Sequence, residues 1–568
     1  MRKNKIIIIF LTLVVFAIPL LIFTDELIKE PSALSKNYGV LSILPPFIAI
    51  LLSFITRNVI ISLFIGLLSG TFILNISDHS LLPAIILSYT KLCKAILNSL
   101  ASPWNAGIIL QCLAIGGLIA LLTRVGGMEA IAKSLVKRAK TPRSSQLVTW
   151  TLGFFIFFDD YANSLIVGPV MRPLTDKMRI SREKLAFIID STAAPIAGIS
   201  LISTWVAYEI GLIKDGLEYI GQHVSAYQVF VETIPYRFYN IFLLIFVFLT
   251  AFMLREFGSM YKVERRARTE NKVLADGAKP LISDETLNLK PKAGAKTSVW
   301  DAIIPLFSLI IAAFLGFYFD GYYNIINSSN TEAIFILQNQ ALSFKAIWLT
   351  LGQSDASIVL FQAALLAGII SMAIILYKHQ LDVGETVSTW LTGVKSLNIT
   401  AVILLLAWSL SSIMKELKTA EYLVALLSGN YPPVLLPATI FLFSSIISFA
   451  TGTSYGTMGI LMPLTIPLAF SINPDNSYLT INISAVLTGA IFGDHCSPIS
   501  DTTILSSMGA ACDHIDHTKT QISYAVFIAL ISLFFAYIPA ALGINVLLIL
   551  IYNIIFIILI LYFFGKKP

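Results

Sequence analysis

Acidic and amide side chains inside otherwise apolar sequence are the residues that could do chemistry in this chain. In the first such group, Asp159 and Asn163 are four residues apart and Asp160 and Asn163 are three apart, so on a helix they share a face. Two carboxylates and an amide supply hard oxygen ligands that suit a small cation, and close carboxylates also compete for a proton. The alternative is that one aspartate only caps a following helix.

A second group lies next to a proline, and a third group contains no charge. Asp190 and Thr192 precede Pro195, which removes a backbone donor and frees carbonyl oxygens inside a helix. Thr453 and Ser454 lie in a run of small and hydroxyl residues, whose hydroxyls and backbone groups can bind an ion or an anionic group. Close helix packing by small residues is the alternative interpretation of that run.

The fourth group is the most specific string of the sequence. Asp494 and Asp501 are seven residues apart and would share one face of a regular helix. Between and beside them lie His495, whose side-chain type titrates near physiological pH, and the hydroxyl residues Ser497 and Thr502. An aspartate beside a histidine also suggests metal-dependent or acid–base catalysis, but that chemistry would need further converging ligands.

Residues 512–517 form another pattern of cysteine, aspartate and histidine. Their types resemble a metal-binding set, with two histidines at His514 and His517. The segment follows the fourth group on the predicted cytoplasmic side. We therefore predict a solvated loop at the membrane surface, with a cytoplasmic pH sensor as the alternative.

The composition indicates which class of protein must position these groups. The chain has 568 residues, of which 56% are hydrophobic and 13% charged, against about 25% charged in ordinary soluble domains. Several continuous apolar runs are long enough to cross a bilayer, and they do not alternate with period two. This composition excludes a soluble enzyme, a disordered chain and a nucleic-acid-binding protein. It predicts an all-α polytopic membrane protein, and the four cysteines show no disulfide or zinc spacing.

Apolar runs and their basic flanks predict about 12 transmembrane helices. Basic residues flank the run 145–170 on both sides, which favours a re-entrant hairpin over a simple crossing. A second hairpin is predicted at 434–470, and broken helices are predicted at 185–211 and 480–511. The other predicted spans are 6–23, 39–56, 58–76, 106–123, 235–254, 301–319, 356–377, 398–414, 522–540 and 543–564.

The distribution of basic residues also predicts orientation. Both termini are expected in the cytoplasm, in a multi-pass protein of the inner (plasma) membrane. Lys91 and Lys94 interrupt the segment 81–100, which we therefore expect at the outer surface. The net charge of +6 is explained by basic cytoplasmic loops, above all by the hydrophilic stretch 255–300, which is predicted to be a flexible, solvated linker.

An internal repeat supports two related halves. A shift of 290 residues aligns Ser164 with Ser454 and the string beginning at Pro173 with that beginning at Pro463. With the predicted span count, the second hairpin enters from the opposite side, which is an inverted-topology repeat. The predicted organisation is an N-terminal span and outer loop at 1–38, a first half at 39–254, the linker at 255–300, a second half at 301–541 and a C-terminal span at 542–568.

These strings resemble the NhaC-type Na⁺/H⁺ antiporter family, within the wider ion-transporter superfamily. The resemblance rests on Phe-Asp-Asp-Tyr-Ala-Asn from Phe158, on Thr-Gly-Thr-Ser from Thr451, and on the run from Gly493 to His517, and it covers about 105–540. It implies two inverted repeats, a scaffold domain, a mobile transport domain with elevator-like motion, and a homodimer. Members of the family exchange Na⁺ for H⁺ or couple cations to dicarboxylates or amino acids.

The leading hypothesis is a Na⁺(Li⁺)/H⁺ antiporter that works by competition between cation and proton. Its main carriers would be Asp159, Asp160 and Asp494, with the cation held by these carboxylates and Asn163 and with the other hydroxyl and acidic candidates in support. The alternatives are a cation-coupled exchanger of an organic solute, a channel and, last, a membrane enzyme. The expected partners are the lipid bilayer, small cations and a small organic solute, with no nucleic acid, and no cofactor is expected beyond transported Na⁺ and H⁺.

Overall fold

The computed structural model of the protein describes most of the chain. The described residues are 38–56, 58–76, 79–136, 139–157, 160–222, 224–280, 297–328, 331–419, 422, 432–498 and 500–568. The predicted first span at 6–23 lies outside them, and so does Asp159. The prediction of twelve spans therefore stays a prediction.

The described residues are nearly all helical, as the composition predicts. Before residue 281 the helices are Leu44–Thr56, Val59–Ile76, Leu81–Ala101, Pro103–Arg124, Gly127–Val136, Pro142–Phe155, Asp160–Lys177, Arg182–Ser191, Ala194–Ala197, Thr204–Tyr219, Ala226–Thr233, Phe238–Met253 and, in the linker, Gly258–Thr269. After residue 296 they are Trp300–Ile326, Thr331–Gln340, Phe344–Gln353, Ala356–Tyr377, Val383–Ser396, Asn398–Glu416, Leu436–Thr451, Ser454–Ile472, Asn476–Cys496, Asp501–Ala510, His514–Ser532, Ile538–Ala541 and Val546–Phe564.

Many of these helices have the length and hydropathy of membrane spans. Within the described part of the chain nine qualify, or ten if the bent pair Ala226–Tyr236 and Phe238–Met253 forms one span. The protein is therefore a multi-pass membrane protein. Leu81–Ala101 is among the nine, which differs from the surface position predicted from its two lysines; Lys91 forms an ion pair with Glu416 there.

Two helical hairpins and two broken helices form the centre of the molecule. The first hairpin consists of Pro142–Phe155 and Asp160–Lys177, and the second of Leu436–Thr451 and Ser454–Ile472. The first broken helix consists of Arg182–Ser191, Ala194–Ala197 and Thr204–Tyr219, and the second of Asn476–Cys496 and Asp501–Ala510. Helical hairpins and breaks are thus present at the predicted places, with boundaries shifted by a few residues, and the re-entrant course of the hairpins stays a prediction.

The hairpins and broken helices pack reciprocally between the two halves. The first arm of each hairpin packs against the first part of the broken helix in its own half. The second arm of each hairpin packs in addition against the second part of the broken helix from the other half. Because each half supplies a hairpin to the other half's broken helix, the breaks of both halves are brought to one region.

The helix boundaries also correct the register of the repeat. Pro142, Asp160 and Arg182 begin helices that each start 294 residues before a helix in the second half. This register differs from the predicted shift of 290 by four residues, about one turn of helix. A one-turn error leaves nearly the same face inward, which explains why the sequence alignment still placed related segments together. The inverted orientation of the halves stays a prediction.

A second set of helices surrounds this centre. Leu44–Thr56 packs with Val59–Ile76, and Trp300–Ile326 packs with Ala356–Tyr377. Val59–Ile76, from the first half, also contacts Asn398–Glu416, from the second half. In the same way, Ala356–Tyr377 contacts Pro103–Arg124, so this outer set repeats the reciprocal arrangement.

The prediction of a solvated, flexible linker is wrong for the part of it that the structure describes. Helix Gly258–Thr269 packs against the first broken helix and against His514–Ser532, and Met260, Glu264 and Ala267 are buried. Glu264 and Arg266 attach it to the protein, whereas Lys262 and Arg265 are exposed. The linker holds four consecutive residues at the start of the first broken helix. Ser181 N donates to Glu264 (2.7 Å), and Arg182 N donates to the Val273 carbonyl (3.0 Å). Glu183 forms an ion pair with Arg266 (2.9 Å), and Lys184 forms one with Glu256 (2.8 Å).

Candidate functional site

The breaks of the two broken helices meet through Ser191 and His495, which lie at the ends of the first parts of these helices. Ser191 closes the first part of the first broken helix, and its hydroxyl lies 3.2 Å from His495 Nε2 of the second broken helix. The other ring nitrogen, Nδ1, lies 2.8 Å from the Tyr239 hydroxyl. His495 is therefore buried between two hydroxyl groups and joins both halves of the repeat.

Asp494 is buried against the tip of the second hairpin. Its Oδ2 atom accepts a hydrogen bond of 2.9 Å from the Ser454 hydroxyl, which also lies 3.2 Å from the Ala490 carbonyl oxygen. Ser454 takes this position because Gly452 ends the first arm in a left-handed conformation (φ +67°) and Thr453 caps the second arm. The uncharged hairpin thus presents a hydroxyl to a carboxylate.

Glycines let the second hairpin approach this carboxylate closely. A Cβ atom at Gly493 would lie 2.3 Å from the Ser445 carbonyl oxygen, and one at Gly489 would lie 2.5 Å from the Phe441 carbonyl oxygen. The two glycines are four residues apart, so they share a helix face along which the first arm packs. The first arm of the hairpin therefore packs close to Asp494 against a helix face on which Gly489 and Gly493 leave no side chain in between.

In the first hairpin, Asn163 ties the second arm to the first break. Its Nδ2 atom donates to the Thr192 carbonyl (2.7 Å) and to the Gly153 carbonyl (3.1 Å). Its Oδ1 atom is buried and has no hydrogen-bond partner within the described residues. Asp160 begins the second arm and is buried. The predicted pairing of Asp160 with Asp159 lies outside the described residues.

Asp190 lies in a separate polar network behind the first break. Gln521 Nε2 donates to its Oδ2 atom at 2.6 Å, and the Ser506 hydroxyl donates to its Oδ1 atom at 3.4 Å. Ser506 in turn lies 3.2 Å from the hydroxyl of Ser164 in the first hairpin. The carboxylate thus connects the first broken helix, the second broken helix and helix His514–Ser532.

Four other predicted site residues have local structural contacts. Ser497 donates to the Phe449 carbonyl (2.7 Å), Thr192 donates to the Ile188 carbonyl (2.8 Å), and Thr453 caps a helix. Thr502 lies 2.9 Å from the hydroxyl of Ser500. Asp501 begins the second part of the second broken helix, and its side chain lies outside the described ones. The hydrogen bonds of Ser497, Thr192, Thr453 and Thr502 hold the breaks and hairpins in place.

Several residues of the site were not among the sequence candidates. Ser191, Tyr239, Ser506 and Gln521 complete the hydrogen bonds of His495 and Asp190. Tyr239 and Gln521 lie outside the two hairpins and the two broken helices, so the patterns that indicate those elements do not indicate them. Ser191 lies between the candidates Asp190 and Thr192, so it is the one residue that the sequence pattern could have indicated.

An aromatic group covers the second hairpin on the side of the first broken helix. The Tyr455 ring lies 4.9 Å from Trp205 and 4.5 Å from Tyr208, centroid to centroid, and Tyr208 donates its hydroxyl to the Tyr455 carbonyl. Trp205 Nε1 is buried and has no hydrogen-bond partner in the part of the chain that the structure describes. This group offers apolar surface with one spare donor beside the uncharged hairpin.

Comparisons with known proteins agree with this architecture. An uncharacterized protein of Haemophilus influenzae is 36% identical over 499 residues, 86% of this chain and 89% of that protein. The Bacillus subtilis malate-2H⁺/Na⁺-lactate antiporter is 34% identical over 96 residues, 17% of this chain and 20% of that protein. An uncharacterized Na⁺/H⁺ antiporter of H. influenzae is 35% identical over 85 residues, 15% and 18% of the two chains.

Solved structures show the same fold at low identity. The Alcanivorax borkumensis YdaH transporter matches with a TM-score of 0.50 and 14% identity, over 88% of this chain and 99% of that one. Neisseria gonorrhoeae MtrF, associated with a class of antimetabolite efflux pumps, also has a TM-score of 0.50 and 14% identity, over 81% and 84%. The Na⁺/H⁺ antiporter family is matched over residues 196–539, more than half of the sequence. The chain belongs to the Na⁺/H⁺ antiporter family.

Proposed function

We propose that this protein exchanges a small cation, Na⁺ or Li⁺, for protons, and that Asp494 is a carboxylate for which the two compete. The observation that carries the proposal is the contact between Asp494 and Ser454, which joins the second break to the second hairpin in a buried place. A carboxylate with an adjacent hydroxyl supplies the oxygen ligands that a hard cation prefers. Asp160 and Asn163, at the first hairpin, are the proposed counterpart.

The proposed mechanism is competition at these carboxylates. An ionised Asp494 binds the cation together with the Ser454 oxygen. A protonated Asp494 has lost its charge and releases the cation, because a neutral acid is a poor ligand. The same group thus carries either a cation or a proton. Exchange follows when the cation-loaded form moves to one side of the membrane and the proton-loaded form returns to the other.

Alternating access would come from movement of the hairpins and broken helices as a unit. The reciprocal packing of these elements supports a single mobile body, and the outer helices 44–76 and 300–377 would be its scaffold. We propose an elevator-like motion of this body in a homodimer, in the inner membrane, with both termini in the cytoplasm. Cysteine cross-links between mobile body and scaffold that block flux would support it.

The test uses purified protein in liposomes with a trapped pH dye and an imposed pH gradient. Na⁺ or Li⁺, but not K⁺, should dissipate the gradient, and Asp494→Asn and Asp160→Asn should abolish the response while the proteins stay folded. Asp276→Asn is the matched control, because Asp276 is an exposed carboxylate of the linker. Full exchange by Asp494→Asn would refute the assignment.

A second candidate is cation-coupled exchange of an organic acid. The partial similarity to the malate-2H⁺/Na⁺-lactate antiporter favours it, and so does the aromatic group with the unpartnered Trp205 Nε1 beside an uncharged hairpin. An indole N–H and hydroxyls are suitable donors for a carboxylate of a solute. In the same vesicles, flux that needs lactate, malate or an amino acid, with no response to cations alone, would decide for this candidate.

A further inference from the structure

The histidine pattern near residue 512 is not a solvated loop. Asp513 caps helix His514–Ser532 by accepting hydrogen bonds from the backbone of Ile515 and Asp516, so both histidines lie in the first turn. His514 is half-buried and His517 is fully buried. The two rings therefore lead from the surface of the protein inward, towards Asp190.

Both imidazole rings face one hydroxyl group. The Nδ1 atoms of His514 and His517 lie 3.0 Å and 2.8 Å from Ser507 Oγ. The Nε2 atom of His514 lies 2.7 Å from the Pro498 carbonyl oxygen, and that of His517 lies 2.8 Å from Oε1 of Gln521. Ser507 belongs to the second broken helix, so the cluster spans two helices.

The outer partners fix where the ring hydrogens must be. A carbonyl oxygen only accepts, so His514 Nε2 carries a hydrogen. Gln521 uses its Nε2 atom to donate to Asp190 and to the His495 carbonyl, so the atom facing His517 is an oxygen, and His517 Nε2 also carries a hydrogen. In neutral rings both Nδ1 atoms are then acceptors.

The cluster is therefore short of one proton when both rings are neutral. Ser507 has a single hydroxyl hydrogen, and three acceptors surround it: His514 Nδ1, His517 Nδ1 and the Thr503 carbonyl oxygen at 2.8 Å. One additional proton satisfies both rings. The ring that holds it donates from Nδ1 to Ser507 Oγ, and the Ser507 hydroxyl donates to the other ring. The geometry is equally suited to the proton on either side.

We propose that His514, Ser507 and His517 form a proton relay between the protein surface and Asp190. The proposal rests on the proposed exchange of protons and adds the route by which they enter. It makes these three residues proton carriers, and it gives Asp190 the role of the buried proton acceptor at the end of the route.

The steps of the relay balance. His514, protonated at the surface, gives its Nδ1 proton to Ser507 Oγ while the Ser507 hydroxyl proton passes to His517 Nδ1. His517 then gives its Nε2 proton to Asp190 Oδ2, 3.9 Å away, once the ring has turned from Gln521. The carboxylate becomes a neutral acid, and both rings end neutral, with the hydrogen of His514 on Nε2 and that of His517 on Nδ1. The reverse sequence returns the proton to the surface and restores the Nε2 hydrogen of His517.

Other charged groups surround the relay and set its electrostatics. Asp513 and Asp516 lie at the start of its own helix, beside the entrance of the relay. Packed against that helix are also the Glu183–Arg266 pair, the Arg182–Asp176 pair, the Lys184–Glu256 pair, Glu264 and His495.

The test separates proton movement from cation movement in proteoliposomes. His514→Gln and Ser507→Ala should slow Na⁺-driven proton flux about tenfold or more, as removal of a proton-transfer group does. Exchange of radioactive Na⁺ for Na⁺ needs no net proton and should be unchanged in both variants. Added imidazole should restore much of the proton flux of His514→Gln, because a small diffusible base can replace the missing ring. Lys519→Gln, an exposed change on the same helix, is the matched control.

The outcomes distinguish the relay from the exchange itself. Equal slowing of proton flux and of Na⁺/Na⁺ exchange, without rescue by imidazole, would show a merely structural role and overturn the relay. Normal proton flux in His514→Gln would overturn it as well. If the unaltered protein moves no protons with any cation, the proposed function is wrong, and the relay is then wrong too because it rests on that function.

Discussion

Ser454 of the second hairpin and Asp494 of the second broken helix are joined by a hydrogen bond of 2.9 Å. The two residues are 40 positions apart in sequence, and both are buried. The hairpin has no charge of its own, so in the proposed cation site it would contribute oxygen atoms beside the carboxylate. Any movement of the hairpin tip away from the second broken helix would separate Ser454 from Asp494.

This contact predicts the effect of removing one hydroxyl. Ser454→Ala should raise the Na⁺ concentration for half-maximal proton flux about tenfold, since loss of about 1.4 kcal/mol of binding free energy has that effect. Ser454→Thr keeps the hydroxyl and should keep most of the affinity. Ser471→Ala, an exposed serine of the same arm, is the control. An unchanged Na⁺ dependence in Ser454→Ala would remove the hydroxyl from the site.

The crossing of the first hairpin with the second broken helix predicts a steric effect. A Cβ atom at Gly509 would lie 2.4 Å from the Ser164 carbonyl oxygen, and one at Gly168 would lie 2.3 Å from the Gly509 carbonyl carbon. Backbone atoms cannot move aside as a side chain can, so Gly509→Ala should destabilise the protein by about 1–3 kcal/mol.

The measurement is thermal unfolding in detergent together with flux in liposomes. Gly368→Ala is a matched control, because that buried helical glycine has only the Trp390 indole nitrogen, at 3.8 Å, near its added Cβ atom. There the substitution should be neutral or slightly stabilising, since alanine favours helix by about 1 kcal/mol. Equal melting temperatures for both variants would contradict the close crossing.

The sequence predicted the hairpins and breaks well because their signals are local. Proline, glycine and short hydroxyl residues mark where helices begin and end: Gly452 ends the first arm of the second hairpin, and Ser500 caps the start of helix Asp501–Ala510. Asp190 and Asp494 were placed at the breaks for the same reason. Their partners were not predictable, because Gln521 is an isolated polar residue in an apolar helix, 331 positions from Asp190.

The errors concerned charged segments. The linker and the histidine pattern were predicted to be solvated because charge usually faces water. In the structure Glu264 accepts a hydrogen bond from Ser181 N, and Arg266 pairs with Glu183; both partners are 83 positions away in sequence. His517 points inward because its helix begins at the Asp513 cap, and composition carries no information on helix orientation.

A buried ion pair next to the first break predicts an asymmetric loss of stability. Arg237 lies 2.7 Å from Glu209, both side chains are fully buried, and Arg237 also donates to the Gly198 carbonyl and to Thr233. Arg237→Gln leaves a buried carboxylate and should cost about 3–5 kcal/mol. Glu209→Gln should cost less, because the guanidinium keeps its other acceptors.

The double variant is the decisive measurement for this pair. Since removal of both charges leaves no uncompensated one, Glu209→Gln with Arg237→Gln should melt above the single Arg237→Gln variant. Arg255→Gln serves for comparison. Arg255 lies outside the site and donates to the Gly565 carbonyl, which follows helix Val546–Phe564. Additive losses in the double variant would show that the two charges do not interact.

Glu264 predicts how the attachment of the linker depends on pH. Burial, and after it repulsion by Glu256, raises the pKa of the Glu264 carboxyl above its ordinary value of 4.5. A carboxyl whose folded-state pKa is raised stabilises the folded protein fully below its unfolded pKa, and this contribution is lost as pH rises through the folded pKa. A glutamine at this position does not titrate. The melting temperature of the unaltered protein minus that of Glu264→Gln should therefore fall between pH about 4 and about 8.

Two further variants complete this test of the linker. Glu264→Ala removes the acceptor of the Ser181 N–H at every pH and should cost about 1–3 kcal/mol, with faster tryptic cleavage after Lys272. Glu270→Gln changes an exposed carboxyl of the same segment and should match the unaltered protein at both pH values. A difference between the unaltered protein and Glu264→Gln that grows with pH would mean that Glu264 is stabilised as a charged group, and the linker would then be held by ion pairing with Arg268 and not by a protonated, buried acid.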